Sequence, residues 1–206
     1  MKKAILFLVL ILAVSLIFWK LFKSKDGENK TSDTKEVAIA VKQHSENFNK
    51  SISRIVDKYM NIKDAFVNAD TAAIKLGGAE FILLLDAIDT AELKKDTSLI
   101  EATIMSVIND LKSNAISMLS QHDITEMRKD FSSLTDMMFP AFFTAIKYEG
   151  PTLYIQNCPM AFNDEIPANW ISTTEEVINP YLGKNHPKYK AGMLHCGEIV
   201  DSVKSK

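Results

Sequence analysis

The chain opens on an almost unbroken apolar run. Ala4 to Trp19 is interrupted only by Ser15, is carried past Lys20 by Leu21 and Phe22, and is preceded by Lys2 and Lys3. At about 1.5 Å rise per residue such a run, if helical, nearly spans a hydrocarbon core of ~30 Å, with Trp19 suited to the interface and Lys20 able to snorkel. Residues 1–22 therefore read as an uncleaved signal anchor; a cleaved signal peptide is the alternative, because Ala13-Val14-Ser15 is a small-x-small triplet. Residues 23–36 (KSKDGENKTSDTKE) hold no large apolar side chain and form a solvated tether.

From residue 37 to 148 the pattern changes: apolar residues recur at threes and fours, with Pro140 the single proline and Gly77 and Gly78 the two glycines. This is helical periodicity. Ile52, Ile55, Val56, Tyr59, Ile62 and Phe66 mark one face of a first helix, and Asp70 with Thr71 offers an N-cap for a second carrying Ala72, Leu76, Ala79, Leu83, Leu84 and Ile88. Ser98-x-x-Glu101 and Asp123-x-x-Glu126 resemble capping boxes and place helix starts near 99 and 124. Short connections make neighbours antiparallel, so the expectation is an all-α body: an up-and-down four-helix bundle over 37–148, with Ile100, Ile104, Ile108 and Leu111 facing Phe131, Leu134, Met138 and Phe142. Pro140 is expected to kink or interrupt the fourth helix. The methionines Met105, Met118, Met127, Met137 and Met138 lie inside this pattern and read as core filling.

Beyond residue 149 the helical period fades. Gly150 to Gly197 holds five of the six prolines, both cysteines, Trp170, His186 and His195, so residues 149–206 read as a loop-rich lobe in which Leu153–Asn157 can be extended. The available chemistry sits there. Cys158-Pro159-Met160 at one end and Met193-Leu194-His195-Cys196-Gly197 at the other each supply a thiol and a thioether, soft donors that suit Cu(I) or Ag(I), with His195 adding an imidazole. Trp170 and Tyr181 read as packing.

Composition narrows the function classes. Twenty-four basic against 26 acidic side chains leave a net charge of −2, which excludes the cationic surplus that binding to nucleic acid requires. Two cysteines and four histidines provide neither a disulfide-dense scaffold nor a standard tetrahedral zinc set. A catalytic pairing of Cys158 with His195 has no Asp or Asn at a telling position to orient the histidine, so the chain is read as non-enzymatic.

Taken together, Tyr154–Met160 (YIQNCPM), Asn169-Trp170-Ile171-Ser172, Asn179-Pro180-Tyr181 with Gly183, and Met193-x-x-Cys196-Gly197-Glu198 resemble the DUF3347 family of bacterial proteins. The resemblance implies an exported, mostly helical domain, found alone or appended to periplasmic adaptor subunits of heavy-metal efflux pumps, with a role in copper or silver handling. It carries Cys158, Met160, Met193 and Cys196 as the matching positions; His195 and the inserted-looking stretch 184–190 depart from the pattern. The implied setting is a single-pass bacterial inner-membrane protein whose C-terminal domain is periplasmic, or a secreted periplasmic form if the signal is cleaved, with efflux-pump or metal-carrier partners. An alternative stays open at the cysteines. An exported chain favours a Cys158–Cys196 disulfide, which needs no metal and would staple the lobe of a non-catalytic interaction module, contributing about 4 kcal/mol by chain entropy.

Overall fold

The computed structural model describes residues 44–93 and 98–204, with the side chains of 98–101 left aside. The proposed anchor and tether lie outside the described residues. Among those described, no helix is long and apolar enough to cross a membrane.

Helix α1 (Glu46–Asn68) starts at Ser45, whose hydroxyl accepts from the Phe48 amide, and ends at Ala69 in the left-handed region. Its buried face is the expected one, Ile52, Ile55, Val56, Tyr59, Ile62 and Phe66. Helix α2 (Thr71–Asp86) is capped by the Asp70 carboxylate on the Ala73 amide. Helix α3 (Ser98–Ser120) buries Ile104, Ile108, Leu111, Ala115 and Met118. Helix α4 (Ile124–Asp136) is capped by Asp123, which accepts from the Thr125 and Glu126 amides, and buries Met127, Phe131 and Leu134. A π-helical stretch, Met137–Phe142, follows and passes into the short α5 (Phe143–Ala145). The interruption falls where Pro140 predicts it: Phe139, the residue before the proline, leaves helical geometry for φ −120°, ψ 126°.

The face of α2 is not the expected one. Leu76 and Leu83 are 64% and 68% exposed, while Ile74, Gly77, Gly78, Phe81 and Leu85 point inward. The glycines explain the rotation. A Cβ at Gly77 would lie 2.9 Å from Cγ1 of Ile62 on α1, and one at Gly78 would lie 3.0 Å from Leu119 and Met118 on α3. Helix α2 thus lets both neighbours approach its backbone, and the side chains beside the glycines turn outward.

The all-α expectation is wrong. The region read as a loop-rich lobe contains a three-stranded antiparallel sheet of order β2-β1-β3, built from β1 (Leu153–Phe162), β2 (Ile166–Ser172) and β3 (Glu198–Val203). The fold is mixed α and β. Pro159 and Pro167, residues that argue against strands, are tolerated because β2 is an edge and because the β1–β2 register shifts between Cys158 and Phe162, where Pro159 falls. The connection 173–197 runs from one edge of the sheet to the other. Gln156 of β1 ties it down, its amide donating to the carbonyls of Thr174, Glu175 and Glu176 at 3.1–3.3 Å.

Helices and sheet share one hydrophobic core. Tyr59 of α1 is buried between them: the Thr135 hydroxyl donates to Phe131 O, so the Tyr59 hydroxyl donates to Thr135 Oγ1 (2.6 Å) and accepts from the Ile171 amide of β2 (3.2 Å). Burial raises the Tyr59 phenol far above its ordinary pKa, keeping it a neutral donor. Tyr181 packs tilted against Phe131 and edge-to-face against Phe162 and Trp170, with ring centroids 5.3–6.1 Å apart, so Trp170 and Tyr181 are packing residues, as expected.

Candidate functional site

Cys158 lies on β1 and is fully buried; Cys196 ends a tight turn in which its amide donates to Met193 O at 3.0 Å. The two sulfurs, 38 residues apart in sequence, stand 3.3 Å apart. That is a thiol–thiol contact; both cysteines are free, and the Cys158–Cys196 disulfide held open as the alternative is not formed. Burial, and then the hydrogen bond with Cys158, push the Cys196 thiol up to about 11. At neutral pH it holds its proton, and its nucleophilicity is low.

What brings the sulfurs together is Asn179, which is fully buried. Its amide nitrogen donates to Cys196 O (2.7 Å), its amide oxygen accepts from the backbone of Tyr181 (2.8 Å) and Leu182 (3.0 Å), and its backbone amide donates to Leu194 O (2.8 Å). One side chain therefore clamps the Met193–Cys196 turn to the Asn-Pro-Tyr loop. Gly197 closes the approach: its φ is +140°, and a Cβ there would lie 2.7 Å from both Asn157 O and the Trp170 ring.

The loop is anchored in turn on the end of α1. The last carbonyls of a helix lack intrahelical partners. Arg128 of α4 donates from Nη2 to Phe66 O (3.3 Å) and from Nε to Pro180 O (3.1 Å), the Lys184 amide donates to Val67 O (2.8 Å), and Asn185 donates to Asn68 O (3.1 Å). Gly183, at φ +58°, permits this contact, since a Cβ would fall 2.7 Å from Val67 O. Burial lowers the Arg128 guanidinium to about 10, so it stays cationic where the partial negative charge of the helix end favours it. The stretch 184–190, which looked like an insertion loosening the site, therefore begins with docking residues.

Of the remaining sequence-derived candidates, Met160 and Met193 are partly buried and packed against the core, as is Cys196. His195 is exposed and its Nδ1 lies 2.8 Å from Val177 O, so Nδ1 carries the proton and Nε2 keeps a lone pair. Among the described residues no group of three or more His, Cys, Asp or Glu side chains could hold a metal ion. Sequence reasoning missed Arg128 and Gln156. Arg128 left one signal: in a chain that uses lysine almost throughout, it is one of only two arginines.

Residues 55–146 match the model of the DUF3347 family, described as a protein of unknown function. This is the family that the C-terminal motifs resemble, yet the matched span is the helical body and stops short of β1. No curated protein and no solved structure matches the chain.

Proposed function

We propose that this chain, which carries a DUF3347 segment, is a non-catalytic, exported and membrane-anchored domain that takes up one soft monovalent cation, Cu(I) or Ag(I), between Cys158 and Cys196. One observation carries the reading: two thiols from distant parts of the chain meet at 3.3 Å on a rigid strand and a clamped turn. With metal–sulfur bonds of about 2.3 Å, an ion in a trigonal set holds two sulfurs about 4.0 Å apart, so the pair opens by roughly 0.7 Å when the ion enters. A thioether from Met160 or Met193 is the third donor, and the lone pair on Nε2 of His195 is an auxiliary one. The fit is to a soft ion of low coordination number, because two thiolates and a thioether leave the tetrahedral N/S set of zinc incomplete. The thiols must lose their protons on loading, which a cation supplies the energy to do.

The test is competition between the reduced full-length chain and a weak Cu(I) chelator. One Cu(I) per chain is expected, abolished by Cys158→Ser or Cys196→Ser, weakened by Met193→Leu and less affected by His195→Ala. Failure to take Cu(I) or Ag(I) from the chelator sinks the reading.

The same contact favours a second reading, a dithiol that oxidises to a disulfide in the periplasm and then no longer ligates. A free-thiol count on protein isolated without reductant separates the two, since bound metal with two free thiols belongs to the first and neither to the second. The anchor is tested apart: retention in the membrane fraction after an alkaline wash supports a single-pass inner-membrane protein with a periplasmic domain, whereas a soluble species starting near residue 16 supports cleavage. Efflux-pump subunits and metal carriers are the partners this setting offers.

A further inference from the structure

Away from the sulfurs, α2 is apolar on its outward side as well as on its inward one. Gly77 faces α1 and Gly78 faces α3, so the helix lies between these neighbours, and Ala72, Leu76, Ala79, Leu83 and Ala87 fall on the side turned away from both. All five are exposed, both leucines by more than half. On α3, Ile116 is also more than half exposed and lies a turn from Lys112 and from Leu119, the residues there that meet α2, so it widens the patch. A surface helix ordinarily carries charged or polar residues on its outer face, and one that is apolar all round is covered. The charges at the margins are taken up within the chain, Glu80 by Lys58 of α1 and Asp86 by Lys112 of α3.

The spacing along the face selects what covers it. Leu76 and Leu83 lie equally far from the point between Ala79 and Glu80, and so do Ala72 and Ala87. The face therefore presents the same pattern in both directions, which is what an isologous contact about a two-fold axis requires. A second α2 turned antiparallel about that point sets leucine level with leucine and alanine level with alanine, and the seven-residue step between the leucines keeps them on one seam. The two-fold also brings the Lys58–Glu80 pairs of both copies to the same edge of the contact, where each carboxylate gains a second lysine nearby.

We propose that α2 is a self-association surface, on which a second copy of this chain docks antiparallel about an axis between Ala79 and Glu80. The strip is about 24 Å long and about 10 Å wide, well short of the ~800 Å² per partner of a standard interface. The pair is therefore weak, and the chain is a monomer in dilute solution.

The test is cross-linking of the purified full chain in dodecyl maltoside with bismaleimidoethane, at high micromolar concentration and neutral pH, with wild type as the blank for the two native cysteines. Ala79→Cys, beside the axis, should give covalent dimer severalfold above wild type. Adding Leu76→Lys and Leu83→Lys, both at exposed positions and so harmless to folding, should return the yield to the blank. Ala72→Cys should not cross-link to itself, because the two copies of residue 72 stand about 22 Å apart along an antiparallel pair, but it should cross-link to Ala87→Cys when the two variants are mixed. The proposal is overturned if Ala79→Cys stays at the wild-type level, which would leave the face to another protein or to a lipid surface. It is overturned equally if the two lysines do not lower the yield, or if Ala72→Cys pairs with itself as readily as Ala79→Cys does, the mark of a parallel contact.

Discussion

Asn179 spends both ends of its amide on backbone groups of one loop, and this makes it the residue on which the cysteine site most depends. Asn179→Ala would leave the Tyr181 and Leu182 amides and Cys196 O without their partner, at about 1–3 kcal/mol for a buried unsatisfied group. We expect a loss of about 3 kcal/mol in chemical denaturation, together with weaker Cu(I) retention; unchanged stability would show the clamp to be incidental. The Cys196 thiol makes a separate prediction. With its pKa at about 11 against an ordinary 9, its thiolate is about a hundredfold scarcer at neutral pH. Iodoacetamide labelling of Cys196 in the folded protein should therefore be slow at pH 7 and still rising about tenfold per pH unit at pH 9–10, where an ordinary thiol levels off; a plateau by pH 9 would contradict the shift. The cysteines were legible in the sequence because they are rare and carry soft donors beside them. Asn179 was legible only as part of a motif and not as a clamp, and Arg128 and Gln156 were not legible at all, since a polar residue reads as solvated until something is seen to bury it.

Helix α2 shows how an element can be placed correctly and faced wrongly. Its limits follow from Asp70 and from the apolar spacing, but a count of apolar residues assigns the inward face to leucines, whereas the observed face is organised around Gly77 and Gly78. Gly77→Ala gains about 1 kcal/mol of helix propensity yet drives a Cβ into Ile62, and overpacking costs about 1–3 kcal/mol. A net loss of stability is expected, while Leu83→Ala on the exposed face should stay within about 0.5 kcal/mol of wild type; thermal unfolding of the pair checks both, and the reverse ranking would refute the observed face. The strands were hidden for a different reason. β1 alternates only in part, carries Gln156 and Asn157, and takes Pro159 at a register shift, so neither the period-two signal nor the absence of proline marks it.

Across the whole molecule, the helical body and the sheet are joined by the Asn-Pro-Tyr loop seated on the end of α1. No periodicity announces this, because it depends on carbonyls that every helix leaves open and on which loop happens to reach them. Gly183→Ala should strain a left-handed position and push a Cβ against Val67 O. Hydrogen exchange is expected to quicken over 173–197 while α3 and α4 stay protected; uniform loss across the chain would mean that the loop is not a separable unit.

The connection that delivers Cys196 to Cys158 also closes over the sheet, so whatever bridges the two sulfurs becomes a rivet in the fold. A ligand present at a hundred times its dissociation constant adds about 2.7 kcal/mol to the folded state, and by reciprocity any change that unseats the loop weakens the ligand by the factor it costs the loop. On the proposed reading, occupancy by the ion would in this way register as resistance to unfolding and to proteases.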